Sequence, residues 1–221
     1  MIRLARKPRQ EPAATLRCRL LDRLIGGDSL EGREGLVVLD FGRASQHSID
    51  FFAPHGARLQ IIDAAESLAP WAQPPAASAD DGERKDYEES LYAICDRLAP
   101  QRADLVFLWD TVNRLAPEAL PTLFRFISHR VHDGFAGHGF MRQREAAGAV
   151  IQDYGVLDAE CLRPLPDERC AVRPHTRKAV SDAMQPLAID HGVLHSDGRL
   201  EFLFRRPRER PRVSEWQARY L

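Results

Sequence analysis

Cysteine is scarce in this chain and follows no metal-binding or redox pattern. Its 4 cysteines among 221 residues stand far apart, at positions 18, 95, 161 and 170, and none forms a C-x-x-C pair. His129, His132 and His138 lie closer together, but no neighbouring carboxylate or cysteine completes a recognised ligand spacing. The sequence therefore predicts neither a zinc knuckle nor a dithiol redox motif, and we expect no bound metal.

The chain also lacks an excess of charge of one sign and a long apolar run. Its 31 Lys and Arg residues balance 32 Asp and Glu residues, which gives a formal net charge of −1. This balance provides no overall field to attract nucleic acid or an anionic membrane, so such a partner would need a local patch. No segment approaches the ~20 apolar residues of a membrane span, and the first residues lack the apolar core of a secretory signal. We therefore expect a cytoplasmic protein without a membrane partner.

One local basic patch lies near the C-terminus, in residues 205–212. Arginines dominate this segment, but prolines and Glu209 interrupt them and no aromatic residues lie between them. These features weigh against a nucleic-acid-binding arm. Trp216, Tyr220 and Leu221 follow and could pack on the domain or on another chain. We therefore expect residues 206–221 to form a docking tail.

The most informative segment is a strand, turn, helix and strand pattern over residues 36–63. Residues 36–39 are an apolar run, Asp40 and Gly42 interrupt it, residues 45–52 have helical character, and residues 58–62 regain strand character before Asp63. In open α/β sheets ligands bind beyond the carboxyl ends of the strands, and a carboxylate about 20 residues past a glycine turn can accept both ribose hydroxyls. The pattern predicts a nucleotide-binding half-fold in which Asp63 holds a ribose.

The rest of the chain continues the alternation of helices and strands. A helix is predicted over residues 11–25, closed by two glycines at 26 and 27. We then expect a loop over 69–82, a helix over 87–98, a buried strand over 104–110, a helix over 117–131 and a strand over 134–141. Residues 147–174 are predicted to be irregular with one short strand, before a helix over 175–187 capped near Thr176 and a hairpin over 188–204 with an Asp-Gly turn. This order predicts a single α/β domain, with a lead-in over 1–34, a core over 35–205 and a tail over 206–221.

These pieces, in this order, resemble the class I S-adenosylmethionine-dependent methyltransferases. The resemblance covers roughly residues 36–205 and rests on Asp40 and Gly42 in the first loop, Asp63 after the second strand, and the strand over 104–110. It implies an α/β Rossmann-like three-layer sandwich with a mostly parallel seven-stranded sheet and a C-terminal antiparallel hairpin. It also implies S-adenosylmethionine as the cofactor, held by Asp40, Gly42, Ala44 and Asp63.

The glycine loop and the third strand depart from the family's pattern. Where the family typically has D-x-G-x-G-x-G, this chain has Asp40, Gly42, Ala44 and Gln46, so only the first glycine is present. Glycine allows a positive φ and a close backbone approach, and a left-handed residue of another type costs roughly 1–2 kcal/mol. The third strand has no convincing counterpart between residues 70 and 87. These departures leave open whether the sheet keeps a regular third strand and whether cofactor binding is lost.

Two polar residues after the central strand are the candidates for a catalytic role. A carboxylate and an amide at Asp110 and Asn113 could orient a nucleophile or accept its proton, and the alternative is a helix cap and a surface amide. Trp109 is expected to be a core or pocket-wall aromatic. Two functions follow: methyl transfer from a small-molecule cofactor to an unidentified acceptor, or a catalytically degenerate methyltransferase fold that acts as a protein-interaction or scaffold module.

Overall fold

A computed structural model describes residues 15–26, 30, 33, 35–146, 148–167 and 170–207. Most of the predicted docking tail over 206–221, and the first residues of the predicted helix over 11–25, lie outside these ranges. Strands β1 to β9 span, in chain order, Leu16–Arg17, Val37–Asp40, Arg58–Ile61, Ala103–Trp109, Val131–Arg142, Ile151–Val156, Cys161–Asp167, Ala188–Leu194 and Arg199–Arg205. Helices α1 to α6 span Asp22–Ile25, Gln46–Phe52, Ala64–Ser67, Asp81–Leu98, Leu120–His129 and Arg177–Ala183. Short 3₁₀ turns cover Ala53–His55, Ala69–Ala72, Thr111–Asn113 and Pro117–Ala119.

The larger sheet is mostly parallel and ends in a reversed strand. Its strand order is β3-β2-β4-β5-β9-β8. The first four of these strands run parallel, whereas β9 is antiparallel to both β5 and β8. This confirms the predicted α/β class and the C-terminal hairpin. The sheet has six strands, because the segment between β3 and β4, which is described throughout, holds helices and no strand. The form of the prediction without a regular third strand is therefore the one observed.

Alternate residues of the central strand β4 face two different cores. Val106 and Leu108 pack with residues of α4 and α5, such as Leu91 and Phe124, on one face of the sheet. Side chains of a strand alternate between the two faces, so Leu105, Phe107 and Trp109 belong to a second core on the other face. That core also contains residues of α1, α2 and β6. Apolar layers on both sides explain why β4 is a continuous apolar run.

Side-chain caps set the starts of helices α4 and α6. Helix α4 begins at Asp81 rather than in the predicted region near residue 87, because the Asp80 carboxylate accepts a hydrogen bond from the Glu83 amide and the Glu83 carboxylate accepts one from the Asp80 amide. The predicted loop over 69–82 is therefore shorter than expected. Helix α6 follows Thr176, whose hydroxyl accepts a hydrogen bond from the Ala179 amide at 3.1 Å, which confirms the predicted cap.

Two predictions for the flanking regions are wrong. In the described part of the predicted helix over 11–25, which begins at residue 15, the chain instead forms strand β1, which pairs with β7, and the four-residue helix α1. The region over 147–174, predicted to be irregular with one short strand, contains two strands, β6 and β7, which join β1 in a second, three-stranded sheet of order β1-β7-β6. Prolines within β7 hid this strand, since proline lacks the amide donor of a ladder. Pro164 lies beyond the ladder with β1, which pairs only with Cys161 and Leu162 of β7.

Among the described residues, no helix is both long enough and apolar enough to cross a membrane.

Candidate cofactor cleft

The residues predicted to hold a cofactor stand at the carboxyl ends of neighbouring parallel strands. Asp40 is the last residue of β2, Asp63 lies two residues after β3, and Trp109 is the last residue of β4, with Asp110 after it. In the ladder, Asp40 lies between Ile61 of β3 and Phe107 of β4. The fold thus brings the ends of the three strands together, at the edge where open α/β sheets bind ligands.

The Asp40 carboxylate is buried and is held by two donors of the protein itself. The side chain is 3% exposed, and its Oδ1 accepts hydrogen bonds from the Gly42 amide at 2.7 Å and from Trp109 Nε1 at 2.6 Å. Burial raises the pKa of Asp40 to about 7, and the two hydrogen bonds offset part of this shift. Asp40 therefore orders the glycine turn and fixes the indole of Trp109.

The indole of Trp109 covers Gly42. A Cβ atom added to Gly42 would lie 2.7 Å from Trp109 Cδ1 and 2.8 Å from Nε1, so only glycine fits beneath this ring. The indole is fully buried and stacks on Phe107, with ring centroids 4.8 Å apart and planes 5° apart. Trp109 has a φ of 49°, a left-handed conformation that costs roughly 1–2 kcal/mol for a residue with a side chain. The space that Gly42 leaves beside its backbone is therefore filled by the indole of Trp109.

The second sheet covers the same turn from outside. Asp153 of β6 forms ion pairs with Arg43 at 3.1 Å and with the buried Arg114 at 2.9 Å. A Cβ atom added to Gly155 of β6 would lie 2.3 Å from Ser45 Oγ, which places β6 in direct contact with the start of α2. These contacts join the turn after β2 to a sheet that sequence reasoning did not predict.

Three residues of the predicted cofactor site lie outside this buried cluster: Ala44, Gln46 and Asp63. Ala44 is exposed. Asp63 is partly exposed, has a φ of 46°, and caps α3 by accepting a hydrogen bond from the Glu66 amide at 3.3 Å. The Gln46 side chain donates a hydrogen bond to Asp50 Oδ1 at 2.7 Å along the exposed side of α2. Gln46 therefore points away from the turn, and Asp63 keeps an exposed surface at the predicted ribose position.

Asp110 is buried beside the second sheet. Its Oδ2 accepts a hydrogen bond from the Gln152 amide at 2.9 Å, whereas its Oδ1 has no hydrogen-bond partner among the described residues. Burial raises the pKa of Asp110 to about 6, although the positive charge of Arg199 favours the ionised form. The side chain does not cap the following 3₁₀ turn. Its predicted catalytic role stays a prediction.

Asn113 uses its whole amide group to join three segments of backbone. Its Nδ2 donates hydrogen bonds to the carbonyls of Arg142 at 3.1 Å and Arg173 at 2.5 Å, and its Oδ1 accepts one from the Arg142 amide at 2.7 Å. The side chain is fully buried, so the expected alternative of a surface amide is wrong. Asn113 fastens the end of β5 to the segment before α6, and its catalytic role also stays a prediction.

Sequence reasoning missed the charged residues that close the cleft. Asp153 and Arg114 are nearly fully buried and pair with each other, although neither lies in a recognised motif. The one available signal was an acid among the apolar residues of 151–156, which is unusual in a buried strand unless the charge is paired.

The strand order and the reversed strand β9 define the fold. The chain has a methyltransferase-like α/β fold. Solved structures similar to it include a 1,6-didemethyltoxoflavin-N1-methyltransferase of Burkholderia thailandensis with bound S-adenosylhomocysteine (14% identity, 86% of this chain and 78% of that chain, TM-score 0.44). They also include a glycopeptide N-methyltransferase, MtfA, complexed with S-adenosylmethionine (11% identity, 80% and 90%, TM-score 0.40).

A third similar structure is the pyocyanin biosynthetic protein PhzM, with 13% identity over 85% of this chain and a TM-score of 0.42. This chain spans about half of its length, 53%. No family model matches the chain, and no curated protein sequence matches it. Likenesses at these values carry no conclusion about the cofactor or the chemistry of this chain.

Proposed function

We propose that this protein is a catalytically degenerate methyltransferase fold that acts as a protein-interaction module. The observation that carries the proposal is the position of the Trp109 indole. It is buried, stacked on Phe107, bonded to Asp40 and in contact with Gly42. In the family that the sequence resembles, this turn is left open by glycines so that the cofactor can approach the backbone.

The residues at the cleft do not fit S-adenosylmethionine. Oδ1 of Asp40 already accepts two hydrogen bonds from the chain, and Asp153 ties the turn to the second sheet through two arginines. To approach the Gly42 backbone, a cofactor would have to displace the Trp109 indole from its stacked and hydrogen-bonded position.

A second candidate function is methyl transfer to an unidentified small-molecule acceptor. One observation favours it: Asp63 stands after β3 with part of its side chain exposed, where a ribose-binding acid is expected. In that case Asp110 and Asn113 would lie near the acceptor, and Trp109 would have to leave its place over Gly42. With either function the protein would act in the cytoplasm, as the sequence predicts.

Isothermal titration with S-adenosylmethionine and S-adenosylhomocysteine distinguishes the two functions. We expect no binding heat from the wild-type protein at millimolar ligand, because the indole occupies the approach to the turn. Binding by the wild-type protein that is lost in Asp63→Ala would overturn the proposal and restore the methyltransferase.

The variant Trp109→Ala tests whether the indole is the closing group. Gain of binding in this variant would identify Trp109 as the residue that blocks a site otherwise preserved. The matched control is Trp71→Ala, which removes another buried indole, one whose Nε1 donates to the Tyr87 carbonyl at 2.9 Å. Binding gained equally in both variants would point to general loosening of the fold instead.

A further inference from the structure

A second buried polar cluster lies between the N-terminal segment and the larger sheet. It brings together Cys18 after β1, His138 of β5, Glu201 of β9 and His195 of the turn between β8 and β9. A sulfur, an imidazole nitrogen and a carboxylate oxygen of the first three lie within 4.8 Å of one another. These three side chains are all buried.

The carboxylate of Glu201 is the centre of this cluster. Its Oε1 accepts hydrogen bonds from the Leu20 amide at 2.8 Å and from His138 Nε2 at 3.0 Å. Its Oε2 accepts hydrogen bonds from the Arg19 amide at 2.9 Å and from His195 Nε2 at 2.7 Å. The carboxylate is therefore fixed in position, and a ligating carboxylate is normally held by hydrogen bonds of this kind.

His138 presents Nε2 to the carboxylate, 3.0 Å from Glu201 Oε1. Nε2 is therefore the imidazole nitrogen that lies beside the carboxylate oxygen and the sulfur of the cluster. With the ring proton on Nδ1, Nε2 carries a lone pair, and a cation bound between Nε2 and Oε1 would replace the hydrogen bond between them.

Cys18 supplies the ligand that selects the metal. Its side chain is 4% exposed and belongs to the same cluster as His138 and Glu201. A thiolate favours zinc and similar transition metals over magnesium and calcium. Cys18 and His195 also line an open groove of ≈ 570 Å³, together with Arg19, Asp22 and Ser196.

We infer that Cys18, His138 and Glu201 form a binding site for a zinc-class divalent cation, and that His195 positions the Glu201 carboxylate. The set of one thiolate, one imidazole and one carboxylate matches the ligand types of zinc sites, and three protein ligands leave a tetrahedral position for water. The bound metal would fasten the N-terminal segment to the sheet, because Cys18 belongs to the former and the other two ligands to the latter. The site does not depend on the cofactor cleft or on the function proposed for it.

Cobalt is the probe that tests this site directly. We expect the full chain, stripped of metal by a chelator, to bind one equivalent of Co²⁺ with a thiolate-to-cobalt absorption band, and one equivalent of Zn²⁺ to displace it. Both metals should raise the thermal midpoint of the protein, since a cation that binds only the folded chain stabilises it. Absence of the absorption band in folded protein would overturn the inference.

Three variants separate this site from adventitious binding. Cys18→Ala should lose the absorption band and weaken Zn²⁺ binding by roughly 100-fold or more, whereas His195→Ala should keep the band and lose about 10–100-fold in affinity, as expected for the partner of a ligand. The matched control is Cys161→Ala, because Cys161 pairs with Arg17 next to Cys18 but is outside the cluster. A band that survives Cys18→Ala, or that disappears in Cys161→Ala, would contradict the assignment.

Discussion

Asp40 and Glu201 are two buried carboxylates on the same sheet, and their pKa values are shifted in opposite directions. Asp40 is 3% exposed and Glu201 is fully buried. Burial raises the pKa of Asp40 to about 7, whereas the pKa of Glu201 is about 2. Burial alone would raise the pKa of Glu201 too, but hydrogen bonds from His138, His195 and backbone amides outweigh it. The number of hydrogen bonds that a buried acid accepts, and not burial alone, decides its pKa.

The largest effect should come from removing the charge that the donors around Glu201 require. In Glu201→Gln, an NH₂ group replaces one carboxylate oxygen and faces the two donors of that oxygen, one imidazole and one backbone amide. Leaving buried donors without an acceptor is costly, so we expect the free energy of unfolding to fall by about 3–5 kcal/mol. Urea denaturation measures the effect. The control is Glu160→Gln, whose exposed carboxylate pairs with Arg17 and should matter little.

Asp40→Asn should have the next largest effect on the free energy of unfolding, and this effect should appear only near neutral pH. A carboxyl whose pKa rises from 3.8 to about 7 on folding binds its proton more tightly in the folded chain. The stability it contributes is present below pH 4 and is lost as the pH rises towards 7. At ~1.4 kcal/mol per pKa unit, the loss is up to ~4 kcal/mol.

The asparagine variant keeps an oxygen acceptor for Gly42 and Trp109 and carries no charge. We therefore expect its unfolding free energy, measured in urea from pH 4 to 8, to depend less on pH than that of the wild-type protein. Asp153→Asn is a poor control because it breaks two ion pairs, so exposed Asp50 serves instead, as Asp50→Asn. A wild-type stability that rises over this pH range, with the variant unchanged, would show that Asp40 is ionised at little cost.

The sequence could predict the parts of these two sites that depend on neighbouring residues, but not the contacts between residues far apart along the chain. The order of β2, α2, β3 and β4 follows from local periodicity, and the sequence placed Asp40, Gly42 and Asp63 near strand ends. The bond between Asp40 and Trp109 joins residues 69 apart, and that between His138 and Glu201 joins residues 63 apart. No local pattern encodes such pairs. The second sheet was missed for the same reason, since β1 and β7 are paired across most of the chain.

Trp109→Phe, at the cofactor cleft, should lower the free energy of unfolding by a smaller amount. It keeps an aromatic ring that can stack on Phe107 but removes the Nε1 donor to Asp40. Losing a hydrogen bond to a buried acid should cost about 1–3 kcal/mol. The cost should be larger at pH 8 than at pH 5, because the ionised carboxylate needs the donor more than the neutral acid does. Equal costs at the two pH values in urea unfolding would count against this electrostatic coupling.

Asp63 provides the smallest and most discriminating effect, because it is the one predicted cofactor acid that stays partly exposed. As a helix cap with a φ of 46°, it is in a position that Asn fills equally well. We expect Asp63→Asn to change the free energy of unfolding by no more than roughly 0.5 kcal/mol. Asp63→Ala loses the cap and should cost ~1 kcal/mol. If neither variant changed the free energy of unfolding, Asp63 would have no capping role. The fold would then not explain why a partly exposed acid stands in a left-handed conformation after this strand. A bound ribose would explain it better.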